Sequence, residues 1–258
     1  MWAESNRLKL NTGKTQAIIF GSPNTIKLFD ELNIGKITVN HNGDCVTFVN
    51  EVKSLEVILD RTLSWQQQIK NITKKVNRAL YGLRIIKSCT SQALRKRLVE
   101  ALVVPHLDYC NVVYSDINNQ LTDQLQRLSN SCVRYIFGLR RQDHITPFNT
   151  FRVRRQLDWM NIKTRINYFA ALTLYRLIRM KEPPFLLSLF EPYKSDKPSR
   201  GVRKDLKIPS SITTDWGLNS FQVKYAHFWN NIPPYIRGLH SFTRFKKSIR
   251  QYLYSEDS

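Results

Sequence analysis

The sequence predicts an α+β protein, with a small antiparallel sheet in its first 60 residues and helices in most of the remainder. Three observations predict this order. Before Asp60, short β-branched runs flank an Asn-Gly pair, which is a strong hairpin signal. After Asp60, apolar residues recur every three or four positions, as they do on one face of a helix. Prolines and a glycine then end the periodic stretches, as they end helices.

Four short strands are predicted in the N-terminal part, at residues 17–20, 34–40, 44–49 and 54–59. Their β-branched and apolar residues suit a half-buried sheet. After the last strand the chain turns at Asp60-Arg61-Thr62, and Thr62 or Ser64 is expected to cap the next helix. Trp65 is large enough to pin the sheet to that helix, so this joint organises the rest of the chain.

Helical periodicity covers four further stretches, at residues 65–86, 91–104, 121–137 and 162–180. The expected stops are Pro105, Gly138 and Pro183-Pro184. In the first stretch an apolar stripe is predicted to face the core, and its members are Ile69, Ile72, Val76, Leu80 and Leu83. Residues 191–211 are predicted to form a basic loop. The aromatic tail is predicted to form two short helices around Ile232-Pro233-Pro234.

The charge of the chain is strongly unbalanced, because 40 Lys and Arg face 20 Asp and Glu and give a formal charge of +20. A basic surface favours a polyanionic partner such as nucleic acid, since binding releases counterions from phosphates. Mere solubility and attraction to anionic membranes remain alternatives. Between Lys70 and Val104, Glu100 is the only acid. The candidate nucleic-acid-binding residues are Lys70, Lys74, Lys75, Arg78, Arg84, Lys87, Arg95, Lys96 and Arg97. A competing basic site is the loop with Lys194, Lys197, Arg200, Arg203, Lys204 and Lys207.

Phosphate-loop and metal motifs are incomplete. Gly13-Lys14-Thr15 looks like the end of a phosphate loop, but Leu8 stands where the pattern needs a glycine. His106 and Cys110 have metal-like spacing, yet no compact set of four ligands surrounds them, so packing in the core is favoured over zinc. The sequence therefore predicts no bound metal or cofactor.

The sequence also shows no cluster of carboxylates of the kind that catalysis needs. Asp60, Asp108 and Asp116 are single residues, which helix caps and surface charges explain better than catalysis. No Asp-Asp dipeptide offers ligands for a two-metal polymerase centre.

Compartment is indicated by the cysteines and by the apolar runs. The cysteines are far apart and are predicted to be reduced core thiols, and they are Cys45, Cys89, Cys110 and Cys132. The apolar runs are too short to span a membrane, and the N-terminus has no apolar signal segment. We therefore expect a cytoplasmic or nuclear protein that is not secreted.

Four segments occur in an informative order. They are Trp2…Asn6-x-Leu8-x-Leu10-Asn11-x-x-Lys14-Thr15…Ile19-Phe20-Gly21, then Ser54-Leu55-x-Val57-x-Leu59-Asp60-x-x-Leu63-Ser64-Trp65, then Pro105-His106-Leu107-Asp108-Tyr109-Cys110, and finally Phe228-Trp229-Asn230-Asn231-Ile232-Pro233…Ile236-Arg237…Phe245-Lys246. Together they resemble the C-terminal portion of a non-LTR retrotransposon reverse transcriptase of the LINE or jockey type. The resemblance covers nearly the whole chain.

The resemblance implies a role for each segment. The N-terminal segment is similar to the one after the catalytic aspartates, with Leu10, Asn11, Lys14 and Thr15 as its site residues. The next segment resembles the primer-grip hairpin that leads into the thumb, with Leu55, Glu56, Val57, Asp60 and Trp65. The last two segments resemble the family's thumb and C-terminal tail. These roles imply a palm remnant at 1–60, a helical thumb at 61–138, a helical connection at 139–190, a basic loop at 191–217 and a helical tail at 218–258.

Departures from the family pattern qualify that implied function. The family's aspartate metal motif would lie upstream of Trp2, so this chain is expected to hold no catalytic residue, and Mg²⁺ is expected only for the complete family enzyme. Glu56 stands where the family usually has glycine, which puts an acid near primer phosphate and a side chain where an unusual backbone angle is needed. Gln68 lies near a common family histidine. These departures suggest a decaying or truncated copy.

The function predicted from the sequence is therefore binding of RNA, DNA or their hybrid through the basic thumb, without polymerisation by this chain alone. Two alternatives stay open. In the first alternative the chain is a catalytic half that complements a separately supplied palm. In the second it is a protein-interaction or scaffold module that is basic only for solubility. The sequence does not indicate the oligomeric state.

Overall fold

The structure is a computed structural model, and it describes residues 5–7, 11, 14–32, 39–41, 44–46, 48–139, 153–193, 205–209 and 220–256. The fold is α+β, as the sequence predicts, because two small antiparallel hairpins precede a series of helices. The chain divides into two compact units, Met1–Arg78 and Ala79–Ser258. The segment boundaries drawn from the family resemblance stay predictions.

In the first unit, helix α1 spans Pro23–Glu31, and strands β1 and β2 span Val39–His41 and Asp44–Val46. Strands β3 and β4 span Glu51–Ser54 and Val57–Asp60, and helix α2 spans Gln66–Ile85 and ends in the second unit. The second unit continues with α3 at Gln92–Leu102, α4 at Val104–Asp108, α5 at Asn119–Phe137, α6 at Ile162–Tyr175, α7 at Pro184–Leu187, α8 at Phe221–Asn231, α9 at Pro234–Arg237 and α10 at Phe242–Glu256.

The predicted strands are only partly correct. The hairpin signal is confirmed, since β1 pairs with β2 and Val39 lies opposite Val46. Residues 17–20 do not form a strand in the structure, because only Ala17 is paired, in an isolated bridge to Phe48. Residues 33–38, which include most of the next predicted strand, lie outside the described residues. The described strands form two separate sheets rather than the single small sheet that the sequence predicts.

The fourth predicted strand, 54–59, is not one strand. It contains the last residue of β3, a two-residue turn and the first residues of β4. β3 and β4 pair around Leu55-Glu56, and Ser54 lies opposite Val57. Both turn residues have positive φ, +46° at Leu55 and +67° at Glu56. Two-residue turns of this kind favour Asn-Gly, because most side chains are strained at positive φ. The apolar pattern therefore predicted a strand where the chain turns, whereas the resemblance implied a hairpin with an unusual backbone angle at Glu56, and the structure has both.

Glu56 pairs with lysines at this turn. Its carboxylate lies 2.5 Å from Lys53 Nζ and 3.0 Å from Lys75 Nζ. The hydrogen bonds from Lys53 and Lys75 hold the pKa of Glu56 below its ordinary value. The backbone angle at Glu56 is one that glycine adopts without strain, and glycine is the family residue that the resemblance implies here.

Substituting Leu55→Asn together with Glu56→Gly is expected to raise the thermal midpoint of the first unit by about 2–4 °C. The reason is relief of two strained backbone positions, while the exposed ion pairs that are lost contribute little. Circular dichroism during heating measures the effect. Glu56→Ala is the control, since it removes the same ion pairs and keeps a side chain at positive φ. A double variant that melts no later than this control would contradict the strain argument.

Asp60 organises the turn before α2, whereas Ser64, one of the two predicted caps, accepts from the first N–H of the helix, with 3.4 Å between Gln66 N and Ser64 Oγ. The Asp60 carboxylate accepts hydrogen bonds from the backbone N–H groups of Thr62, Ser64 and Trp65 at 3.0, 3.0 and 3.1 Å. It also accepts from the hydroxyl groups of Thr62 at 2.8 Å and Ser64 at 3.0 Å. Trp65 is buried, as expected for the joint. Behind it, Gln68 Oε1 accepts from the N–H of Ile58 at 3.0 Å and so ties α2 to β4.

The predicted helices are largely confirmed. All five residues of the predicted apolar stripe in α2 are buried. Gly138, with φ +72°, ends α5 as predicted. Pro105 does not simply stop a helix, because it lies in the first turn of α4, where its missing N–H costs nothing. The stretch 162–180 is α-helical to Tyr175 and π-helical from there to Met180. The tail holds three helices where two are predicted, since α9 follows Pro233 directly.

The helices of the second unit pack in sequence, with α3 against α5, α5 against α6, and α6 against α8 and α10. Tyr175 ties α6 to the segment between α9 and α10, because its hydroxyl donates to the carbonyl oxygens of Leu239 and His240 at 3.0 and 2.7 Å. The largest almost fully buried side chains of α6 and the tail are Trp229, Arg237, Tyr175, Tyr225, Phe245, Leu174 and Leu177.

Candidate nucleic-acid interface

Basic side chains in the first unit lie along α2. Lys70, Lys74 and Arg78 are four residues apart, so they share one helical face, and all three are exposed. Among the described residues none of the three forms an ion pair with an acid. Lys75, in contrast, is half-buried and bound to Glu56. We call Lys70, Lys74 and Arg78 the α2 basic face.

A groove in the second unit collects four basic residues from two helices. Arg84 and Lys87, at the end of α2 and just after it, lie across from Arg127 and Arg134 of α5, and the groove has a volume of about 880 Å³. The other described lining residues are Asn130, Ser131, Tyr135 and Leu139, so no acid lines the described part of the groove. We call this feature the basic groove.

Buried hydrogen bonds fix the walls of the basic groove. The Tyr135 hydroxyl donates to the Leu83 carbonyl oxygen at 3.0 Å, which satisfies one of the last carbonyls of α2. Arg95 donates from Nη1 to the Tyr135 carbonyl oxygen at 3.3 Å. Gly138 adopts the left-handed conformation that lets the N–H of Leu139 donate back to Arg134 O at 3.0 Å. The first of these contacts holds the end of α2 against α5, the second ties α3 to α5, and the third closes the end of α5.

Helix dipoles offer a simpler explanation for some of these cations. Arg84 and Arg134 lie in the last turns of α2 and α5, where cations offset the partial negative charge of the helix end. Arg127 lies ten residues before the end of α5, about 15 Å away at 1.5 Å per residue, and the dipole effect is confined to the last turn. Compensation of the dipoles therefore does not account for the whole groove.

The three predicted residues of α3 do not line the basic groove. Arg95 is half-buried and bonded to Tyr135 O, as described above. Lys96 Nζ lies 3.8 Å from Glu100, and Glu100 also accepts a hydrogen bond of 3.1 Å from Trp159 Nε1. Arg97 is exposed. Of the nine predicted residues, the structure brings Arg84 and Lys87 together in one groove.

Arg127 and Arg134 were missed by the sequence prediction, which considered the densely basic stretch up to Arg97 and the basic loop from Lys194 to Lys207. A weaker signal was present, since residues seven positions apart lie on one helical face. The partner of that face is not readable from the sequence, because Arg84 and Arg127 are 43 positions apart.

The segments that carry the family resemblance mostly serve the fold. In the N-terminal segment, the Asn11 carbonyl oxygen accepts from Lys14 N–H at 3.0 Å and from Thr15 Oγ1 at 3.1 Å, which makes a tight turn, while Leu10 lies outside the described residues. In the hairpin segment that follows, Val57 and Trp65 are buried.

The fourth segment forms a buried polar clamp. Asn230 Oδ1 accepts from the N–H groups of Asp205 and Leu206 at 3.0 and 3.1 Å, and its amide donates to Leu206 O at 2.8 Å. The side chain of Arg237 is 1% exposed and lies 2.7 Å from Asp205 Oδ2. Its Nε donates to the Ile232 carbonyl oxygen at 2.7 Å. These residues therefore anchor the backbone at 205–206 to the tail helices.

The isolated carboxylates are structural where their contacts are described. Asp60 stabilises the turn before α2, and Asp108 forms a two-point ion pair with Arg165, with 2.6 Å between Arg165 Nη2 and Asp108 Oδ2. Asp116 is exposed. Within the described part of the chain, no group of three His, Cys, Asp or Glu side chains is arranged to hold a metal ion.

Cysteine burial only partly follows the prediction of core thiols. Cys132 is buried, and burial raises the pKa of its thiol to about 12, which makes it unreactive. Cys110 is half-buried, and Cys89 is exposed, so the prediction is wrong for Cys89. The side chain of Cys45 lies outside the described residues.

The competing basic loop is described only near its two ends, at residues 191–193 and 205–209. Lys207 pairs with Glu191 at 2.7 Å. The other five basic residues, from Lys194 to Lys204, lie outside the described residues.

Comparison of the chain with family models, with curated proteins and with solved structures gave no match.

Among the helices that the structure describes, we find none with the length and hydropathy of a membrane span.

Proposed function

We propose that this chain binds the phosphate backbone of nucleic acid, and that it does so as a fragment similar to the end of a non-LTR reverse transcriptase. The observation that carries the proposal is the basic groove, in which four cations converge and no acid stands among the described lining residues. Among the described residues, Arg84, Lys87 and Arg127 form no ion pair with an acid. A concentration of cations without adjacent acids is the feature that gains most from replacing counterions on phosphate.

The residue types in the groove suit phosphate oxygens rather than bases. Three of the four cations are arginines, whose planar guanidinium groups donate two parallel hydrogen bonds to a phosphate. Asn130 and Ser131 add neutral polar groups of the kind that contact the backbone. We therefore expect binding that depends strongly on salt and little on base sequence.

The family resemblance adds the expected class of nucleic acid, which is RNA, DNA or an RNA/DNA hybrid held by a thumb. On this proposal the chain contributes affinity and not chemistry, and by itself it does not extend a primer. The resemblance and the basic groove are independent arguments, because the groove includes Arg127 and Arg134, which lie in none of the four resembling segments.

A triple variant with Arg84→Gln, Arg127→Gln and Arg134→Gln tests the proposal. Affinity for an RNA/DNA hybrid duplex is expected to fall roughly 10- to 100-fold, because three phosphate contacts are lost. The slope of log affinity against log salt should flatten by about 2–3, at about 0.9 per contact. Fluorescence anisotropy at several salt concentrations measures both quantities.

A matched control changes three exposed basic residues outside the groove, Arg155→Gln, Arg244→Gln and Lys247→Gln. Both triple variants carry the same net charge, three below the +20 of the natural chain. The control should lose no more than about 3-fold in affinity, since distant charges are screened at physiological salt. Equal losses in the two variants would show attraction by net charge alone and would reject the groove as the site.

The α2 basic face is a second candidate contact for the same function. Replacing Lys70, Lys74 and Arg78 with glutamine is expected to weaken binding to all sequences about equally, because exposed cations along one helical face contact phosphates rather than base edges. The measurement is affinity for three hybrid duplexes of unrelated sequence. Wild-type affinity for all three duplexes would show that this face does not take part.

A further inference from the structure

We infer that Tyr81 and Ile85 form a platform on which unpaired bases stack, so that the chain prefers single-stranded nucleic acid to a blunt duplex. The inference rests on the proposed function, because the platform adjoins the basic groove. The inference deepens that function by specifying single-stranded nucleic acid as the form that binds at the basic groove.

Both side chains are exposed to an unusual degree for their size. Tyr81 is 69% exposed and Ile85 is 70% exposed. They are four residues apart on α2, so they are neighbours on one helical face. Exposing a large aromatic ring beside a large aliphatic side chain leaves apolar surface that a partner would cover.

The position of the pair on α2 indicates what that partner is. Arg84 follows Tyr81 by three residues and therefore lies next to it on the helix, and the same Arg84 lines the basic groove. A flat apolar surface thus adjoins cations that are suited to phosphate. The nearby charges in the groove are all positive among its described lining residues, which favours a polyanion over an apolar protein surface.

Single-stranded nucleic acid presents both of the required groups. Its phosphates suit the groove, and its unpaired bases expose π-faces that stack on aromatic side chains. In a blunt duplex the bases are already stacked on each other, so Tyr81 gains little from them. Stacking tolerates every base, which agrees with a site that contacts the backbone and does not select a sequence.

The test compares Tyr81→Ala with Tyr81→Phe on two probes, a labelled 12-nucleotide oligothymidine strand and a blunt 12-base-pair RNA/DNA hybrid. Tyr81→Ala should weaken binding to the single strand about 10-fold and binding to the hybrid less than 2-fold. Its salt slope should equal that of the natural chain, because no phosphate contact is lost. Tyr81→Phe should retain affinity for the strand, since it keeps the ring.

Tyr235→Ala is the control, because Tyr235 is also strongly exposed and lies on α9, away from the lining of the groove. It should bind both probes as the natural chain does. Equal loss on strand and hybrid, or no loss on either, would overturn the inference. It would also be overturned if Tyr81→Ala left strand affinity unchanged and dissolved a dimer in sedimentation, since the patch would then join two copies of the chain.

The glutamine triple variant of the basic groove separates this inference from the proposed function. If that variant loses affinity while Tyr81→Ala does not, only the stacking platform is rejected. If the variant binds both probes as the natural chain does, the proposed function itself fails.

Discussion

Replacing Arg237 with alanine is expected to lower the free energy of unfolding of the second unit by about 3–5 kcal/mol. The Arg237 side chain is almost fully buried, lies 2.7 Å from Asp205 and donates from Nε to the Ile232 carbonyl oxygen. Alanine leaves the Asp205 carboxylate without this cation in a site that is largely closed to water. It also leaves a cavity among the tail helices, which adds to the cost.

Urea unfolding followed by circular dichroism measures this loss. Arg244→Ala is the matched control, because Arg244 is exposed on α10 and should change stability by less than about 0.5 kcal/mol. A second variant, Arg237→Met combined with Asp205→Asn, removes both charges and should recover a large part of the loss. If Arg237→Ala unfolds at the same urea concentration as Arg244→Ala, the pair does not stabilise the fold.

Replacing Asp60 with alanine should destabilise the first unit by about 2–3 kcal/mol. The Asp60 carboxylate accepts five hydrogen bonds from the turn before α2, and a single hydrogen bond to a charged group contributes about 1.5–3 kcal/mol. The turn also holds Leu63 and Trp65 at positive φ, +52° and +63°, and these strained angles persist only while surrounding contacts enforce them. Hydrogen exchange should show faster exchange confined to residues 57–72.

The effect of Asp60 should depend on pH in a defined direction. Burial alone would raise the pKa of Asp60, but hydrogen bonds from Ser64 and Thr62 outweigh burial and hold the pKa below its ordinary value. A carboxyl with a lowered pKa in the folded state stabilises the fold fully above its unfolded pKa of about 3.9, and this contribution is lost as the pH falls through the folded pKa. The stability difference between the natural chain and Asp60→Ala should therefore be largest above about pH 5 and shrink in more acidic buffer. A difference that is constant from pH 6 to pH 2 would contradict this assignment.

Local residue patterns were sufficient for the fold class and for most of the helices. The apolar spacing from Ile69 to Leu83 predicted which face of α2 is buried, because a helix repeats every 3.6 residues whatever it packs against. Gly138 predicted the end of α5, since glycine adopts a left-handed angle without strain. The excess of Lys and Arg likewise follows from composition alone, and the polyanionic partner that it favours stays a prediction.

Tertiary structure decided the features that depend on contacts between distant segments or on residues in unfavourable conformations. Residue patterns alone predicted a strand across Leu55-Glu56, because neither residue is typical of positive φ, and only the family resemblance implied a hairpin there. The basic groove escaped prediction because Arg84 and Arg127 become neighbours only when Tyr135 fixes the end of α2 against α5. Arg237 of the tail is a further example, because nothing in the sequence indicates that this arginine is buried. In the structure it is buried against Asp205, which belongs to a different segment of the chain. Charge and periodicity can be predicted from one segment of the sequence. A groove between two helices depends on how the helices pack against each other, which the sequence of either helix alone does not indicate.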